Sequence, residues 1–377
     1  MAEILIRSDF PGANIVVEKI EADKVTLRPD LRDTTTPWFF WRFKATGPVG
    51  KETFFSFEGM GCLSSLGPAV RKSGTPWTWL GGQSVQGNGF RFSFTDSDEV
   101  EFCVCIPYLE NEWRSFIEPH QNKSSVHFEN LCLSQKGRPI EKILIQTNVT
   151  KPHLRALVTA RHHACESAAS YALEGLLQKA IAKSAGGDAL IEWHVVPFMD
   201  KDGVEDGDQG KNRGPHDHNR DYLGDSIYPS VKALKEYAKT AGPFHIALDL
   251  HCPCLIGEWD ERVYFVGSSK ESVATEQVRF CKILEGAVKN GIPFETKDFL
   301  SFGQAWNNSD DLTRKTFGGW ASSLPEMKLV LTLEVPYALA RGVEVTPESA
   351  RKFGEYLFEG LESYAKSCLA RNSGRNS

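Results

Sequence analysis

The chain has 377 residues, 41% hydrophobic and 24% charged, with 49 acidic against 43 basic side chains and a formal net charge of −6. That length suits two domains or one large one. The acidic balance argues against a nucleic-acid partner or an anionic membrane surface, which both need a basic face, and no apolar run approaches the length that spans a bilayer.

The opening stretch, MAEILIRSDFPGANIVVEKIE, carries Glu3, Arg7 and Asp9 and lacks the long apolar segment of a secretion signal, so it reads as part of the fold. Nine cysteines, scattered without a small-scaffold spacing, point to free thiols in a reducing compartment, and the expected location is cytoplasmic. Cys252-Pro-Cys254 reads as two such thiols rather than half of a metal site. Up to about Ile106 the chain offers short aromatic and alternating runs: WFFWRFKA (38–45), ETFFSFEG (52–59), GFRFSFTD (89–96) and VEFCVCIP (100–107). GTPWTWLGG and QGNG supply turns between them, and no helical periodicity of ten or more residues intervenes. These features predict an N-terminal antiparallel β-sandwich over residues 1–107.

After Pro107 the pattern changes. KILIQTNV, LRALVTAR, ALIEWHVVPF, FHIALDLH and LVLTLEVP read as strands buried on both faces. Leu173, Leu176, Leu177, Ala180 and Ile181 mark one face of a helix that ends at Gly186-Gly187. A second helix is predicted over Ser272 to Lys289, and a third from Thr346 as N-cap, with Pro347 in its first turn, to about Leu369. The alternation predicts an α/β catalytic domain over residues 108–370, a mixed, largely buried β-sheet flanked by helices. The polar RNSGRNS tail (371–377) is expected to be disordered.

RHHACES (161–167) puts His163 and Glu166 just past a strand and just before a helix, at the carboxyl edge where open α/β sheets place their sites. An imidazole and a carboxylate suit a borderline-soft ion such as zinc; alone, Glu166 is equally an acid favoured at a helix N-terminus. FHIALDLH ends a second buried strand in His251, completing a two-histidine, one-glutamate set. In HDHNRDY (216–222), Arg220 beside Asn219 can grip both oxygens of a carboxylate, and Arg213 is a second fixed positive charge; the alternative is a solvated loop. Glu334 ends the apolar LVLTLEVPY strand, where a carboxylate is seldom buried without a partner or a task. Beside a metal it would act as a general base; otherwise it would join an ion pair, for example with Arg341.

In order, HxxE at 163–166, KDGVEDG, Arg213, Asp217-His218-Asn219-Arg220, His251 in DLH and Glu334 resemble the zinc carboxypeptidase family over roughly residues 116–370, and SAASYALEG matches that family's continuation of the first motif. WFFWRF, GTPWTWL and CIPYLENEW resemble the cytosolic carboxypeptidase branch and its bacterial relatives. The resemblance implies a metalloprotease that hydrolyses the C-terminal bond of a peptide or protein tail. It implies one zinc ion (Zn2+) per chain held by His163, Glu166 and His251, with Glu334 as general base and Arg213 stabilising the oxyanion. Asn219 and Arg220 are implied to anchor the substrate's terminal carboxylate, and Asp217 to orient the first zinc histidine. His162, His216 and His218 match no ligand position, and Cys165 reads as a small packing residue.

Two departures stand out. No tyrosine occurs between Phe299 and Glu334, where many members carry a substrate-capping one; Phe302, Trp306, Phe317 and Trp320 are the aromatics there. The GDQGKNRGPHDHNR loop is also shorter between its arginines than is usual in the branch. Two other readings are an aspartoacylase-like zinc-dependent N-acyl amino acid deacylase, whose β-rich domain usually follows the catalytic part, and a catalytically silent binding module. An acidic C-terminal preference would need a basic pocket residue, for which Lys297, Arg314 and Lys315 are candidates.

Overall fold

Alternating burial in the first hundred residues builds two sheets. The computed structural model describes residues 3–59, 61–147, 154–186, 189–308 and 315–373. Its first strands are β1 (Leu5–Arg7), β2 (Val16–Ile20), β3 (Lys24–Arg28), β4 (Arg42–Thr46), β5 (Glu52–Phe57), β6 (Ala69–Lys72), β7 (Thr78–Trp79), β8 (Gly89–Ser93) and β9 (Val100–Cys103). They form a five-stranded sheet, β1-β4-β9-β6-β7, and a four-stranded sheet, β2-β3-β5-β8. Phe43 and Phe102 of the first sheet meet Phe55 and Phe90 of the second, with ring centroids 5.2–5.6 Å apart and all four side chains buried. The expected all-antiparallel pairing does not hold throughout, because β3 and β5 run parallel. The chain leaves β3, forms β4 in the other sheet and returns in its original direction, which only a crossover permits. Residues 38–41 of WFFWRFKA precede the strand, which starts at Arg42.

The remaining elements are α1 (Glu110–Ile117), β10 (Val126–Leu133), β11 (Pro139–Ile145), β12 (Leu154–Ala160), α2 (Ala168–Ser184), β13 (Ile191–Val196), α3 (Lys201–Asp206) and α4 (Pro229–Ala241), followed by β14 (Ile246–His251), β15 (Tyr264–Phe265), α5 (Glu271–Ala287), α6 (Phe317–Ala321), β16 (Leu329–Glu334), the β17 (Leu339–Ala340) and β18 (Val343–Glu344) hairpin, and α7 (Pro347–Ser373). A seven-stranded mixed sheet has the order β10-β11-β13-β12-β14-β16-β15, with β13, β12, β14 and β16 mutually parallel. All six residues of β14 are buried, as expected for a strand covered on both faces.

The long helices α2 and α7 pack so closely that a Cβ on Gly175 would lie 1.8 Å from the Arg351 carbonyl oxygen, and one on Gly354 1.9 Å from that of Ala172. Helix α7 runs to Ser373, so residues 371–373 of the tail expected to be disordered are helical, and 374–377 lie outside the described residues. Once Phe353, Leu357 and Leu361 bury one face, each further residue adds a hydrogen bond at little cost.

The N-terminal sheets are tied to the rest through the 207–213 loop. Asn14 donates to the Gly207 carbonyl at 2.8 Å, and the Gln209 amide both accepts from Phe40 N–H and donates to Phe40 C=O, each at 2.8 Å. Among the described residues, no helix is long and apolar enough to cross a membrane.

Candidate metal centre and active site

Three parallel strands end side by side. Ala160, the last residue of β12, is in register with Leu250 of β14, and His251 at the end of β14 is in register with Glu334 at the end of β16. In-register neighbours share a face of the sheet, so His251 and Glu334 point into the same space. Past β12 the backbone turns at Arg161 with φ at 58°, an uncommon left-handed conformation for a side-chain-bearing residue. Its buried guanidinium holds that turn by donating to the Tyr108 carbonyl at 2.7 Å and to the Ala164 carbonyl at 3.1 Å.

This turn brings His163 and Glu166 to the mouth of β14. His163 Nδ1 lies 2.9 Å from Glu166 Oε1, and His251 Nδ1 lies 2.7 Å from Glu166 Oε2. The three ligand atoms lie within 4.8 Å of one another, and all three residues are buried. Two imidazole nitrogens and a carboxylate on one small space fit the ligand set of a catalytic zinc ion, which leaves a position for water. Burial pushes the Glu166 carboxyl up, but the His163, Lys211 and His251 charges outweigh it and hold it well below the usual range.

The outward-facing ring nitrogens are also engaged. His163 Nε2 lies 3.6 Å from Asp217 Oδ1, a charge contact longer than a hydrogen bond. His251 Nε2 lies 2.7 Å from Asp249 Oδ2, while Asp249 Oδ1 takes His162 Nδ1 at 2.8 Å and the Thr159 hydroxyl at 2.8 Å. His162 Nε2 in turn lies 2.7 Å from the Tyr222 hydroxyl. His162, which matches no ligand position in the sequence, thus braces the carboxylate behind His251, and with Asp249 and His251 it forms a second group of ligand-like atoms. A strand places Asp249 and His251 on one face because they are two residues apart, a signal present in the DLH motif but not read from it.

Asn219 is buried, its amide oxygen accepting from Phe317 N–H at 2.9 Å and its Nδ2 lying 3.2 Å from His251 Nε2. Arg220 is half-buried and donates to the Asn219 carbonyl at 3.1 Å; among the described residues no carboxylate is ion-paired with it.

Glu334 is 6% exposed, and its Oε2 has no hydrogen-bond partner among the described residues. Burial raises its carboxyl to about 7, opposed by the His251 charge. Arg341 does not neutralise it, since that guanidinium is held by both oxygens of Asp298, at 2.9 and 2.6 Å. On its other side Glu334 is in register with buried Tyr264 of β15, a neighbour that nothing in the sequence pattern indicated.

The structure does not bring Arg213 to this cluster. Its guanidinium lies 2.8 Å from Asp200, 3.1 Å from Asp208 and 3.4 Å from Asp33, and these three carboxylates engage it. Asp33 comes from the connection between β3 and β4, a partner that loop spacing could not reveal. The cation that does reach the cluster is Lys211, whose Nζ lies 2.9 Å from Glu166 Oε1. His216 pairs with Asp221 at 2.7 Å, and His218 stacks on Tyr228 at 3.6 Å between centroids. Neither Cys252 and Cys254 nor a second CxC, Cys103 and Cys105, enters a ligand-like cluster among the described residues. Lys297 is tied to Glu295 and Lys315 faces Ser323 at 3.4 Å; Arg314 lies outside the described residues.

No family model matches the sequence, and no curated protein does. Solved structures do. A metallo-carboxypeptidase from Burkholderia cenocepacia aligns with a TM-score of 0.78 at 20% identity, over 97% of this chain and 100% of its own. A metallo-carboxypeptidase from Pseudomonas aeruginosa, solved in complex with (2-guanidinoethylmercapto)succinic acid, aligns with a TM-score of 0.76 at 20% identity, over 96% of this chain and 99% of its own. From the N-terminal sheets to α7, the chain has the fold of these metallo-carboxypeptidases.

Proposed function

We propose that the protein is a zinc-dependent metallocarboxypeptidase that removes residues from the C-terminus of a peptide or protein tail. One observation carries the reading: two histidine Nδ1 atoms meet one glutamate carboxylate, at 2.9 and 2.7 Å, beside a buried Glu334 that no cation neutralises by an ion pair among the described residues. His163, Glu166 and His251 hold the metal, which when bound polarises the scissile carbonyl and acidifies a water molecule. Asp217 and Asp249 orient the two histidine rings. Glu334 accepts the proton of the attacking water and delivers it to the amine nitrogen as the C–N bond breaks, a role that a carboxyl near neutral pKa suits in both directions. Arg220 receives the substrate's terminal carboxylate, with Asn219 at its side, and this makes the enzyme an exopeptidase.

In this reading residues 1–107 form a β-sandwich domain that buttresses the 207–213 loop, residues 108–370 form the catalytic domain, and the enzyme works in the cytoplasm. The order of the two parts supports a peptidase over the deacylase reading, whose β-rich domain follows its catalytic part. The test is metal content together with cleavage of a panel of C-terminal peptides by wild type and Glu334→Gln. One zinc per chain, with release of single C-terminal residues by wild type alone, supports the proposal. Zinc without peptide cleavage redirects it to the deacylase, and no zinc after reconstitution refutes it.

A further inference from the structure

Lys211 is the one lysine or arginine, among the described residues, ion-paired with any of His163, Glu166, His251 and Glu334. Its position is set by backbone rather than by a loose loop. Gly210 adopts φ of 73°, and a Cβ there would stand 2.1 Å from Ala164 N, so the 209–211 segment lies directly on the HxxE turn. Cys165 N–H donates to the Gln209 carbonyl at 3.3 Å across that contact. Lys211 therefore enters the site from a fixed anchor, with its ammonium 5.4 Å from the Trp38 ring centroid and 2.9 Å from Glu166 Oε1. Glu166 Oε1 is also the oxygen that faces His163 Nδ1. A flexible four-carbon stem lets the ammonium swing while its root stays fixed. Arg213 has no such freedom, with three carboxylates around it.

We propose that Lys211, rather than Arg213, is the catalytic cation of this site, and that it shares Glu166 with the bound metal. The proposal rests on the carboxypeptidase reading. As the water oxygen bonds to the carbonyl carbon, the carbonyl π pair moves onto its oxygen, and the Lys211 ammonium donates hydrogen bonds to that oxygen without giving up a proton. The water's proton passes to Glu334. When the pair returns and the C–N bond breaks, the amine leaves with the proton from Glu334, and Lys211 is released unchanged. A positive charge aimed at developing negative charge favours the transition state over the ground state. The same charge beside Glu166 Oε1 opposes a divalent cation drawing on that oxygen.

The two roles predict effects of opposite sign for Lys211→Met. kcat should fall on the order of 10²–10³-fold with KM little changed, whereas zinc affinity, read by chelator competition, should tighten on the order of tenfold. Lys211→Arg, which keeps the charge, should recover much of kcat and the wild-type metal affinity. A structural lysine would lower both quantities together; that result, or full activity in Lys211→Met, overturns the proposal. A wild type that cleaves no peptide overturns the carboxypeptidase reading, and this role with it, and is told apart from those two results by the wild-type control.

Discussion

Replacing Gly175 with alanine tests how the site's scaffold is held. The added Cβ would lie 1.8 Å from the Arg351 carbonyl oxygen of α7, and the reciprocal Gly354→Ala places one 1.9 Å from Ala172 O on α2. Ordinary contact begins near 3.4 Å, so the helices must part by roughly 1.5 Å, and the obstacle in each case is helix backbone that cannot rotate away. Overpacking of this kind costs typically about 1–3 kcal/mol, and more where the neighbours cannot give. Alanine recovers about 1 kcal/mol of helix propensity, so a net loss of about 2 kcal/mol is expected from either substitution. Gly286, exposed on α5 with nothing within 4 Å of its would-be Cβ, provides the control: the same chemical change there should stabilise by about 0.5 kcal/mol. Urea unfolding at unchanged m-value measures all three. Since α2 starts at Ala168, two residues past Glu166, Gly175→Ala should also weaken metal binding. If Gly175→Ala proves as stable as wild type, the helix contact is not what the backbone geometry says it is.

Asp249→Asn keeps the shape but removes the charge behind His251 Nε2, and metal affinity should drop about 10–100-fold, checked by chelator competition with circular dichroism confirming the fold. For Glu334 the folded-state carboxyl lies near 7 against an ordinary 4.5. Its proton-linked stability is fully present below about pH 4.5 and is lost as pH rises through 7, amounting to about 3 kcal/mol. With a chelator present, wild type should therefore weaken relative to Glu334→Gln between pH 4.5 and 8, and parallel stability curves for the two would refute the burial argument.

Much of the site was legible because strand ends are legible. Apolar runs such as LRALVTAR, FHIALDLH and LVLTLEVP identify buried strands, and a polar residue at or just past the end of such a run lies near a sheet edge; that made His163, Glu166, His251 and Glu334 candidates, their order in the family resemblance joined them, and in the structure they lie close together. The aromatic runs likewise marked strands of the N-terminal sheets, although residues 38–41 precede theirs. Direction and partnership were a different matter. The parallel β3–β5 pair depends on a crossover through the other sheet, and Tyr264 reaches Glu334 only through β15–β16 pairing. Lys211 and Arg213 are two residues apart in one loop, of one charge, and nothing local ranks them. Asp200 and Asp208 from the same stretch of chain, joined by Asp33 from far upstream, claim the arginine and leave the lysine to Glu166. Local pattern determined where each strand ends and which side chains sit there; which cation faces the carboxylates was decided only by long-range packing, because ion pairing depends on distance in space and not on distance along the chain.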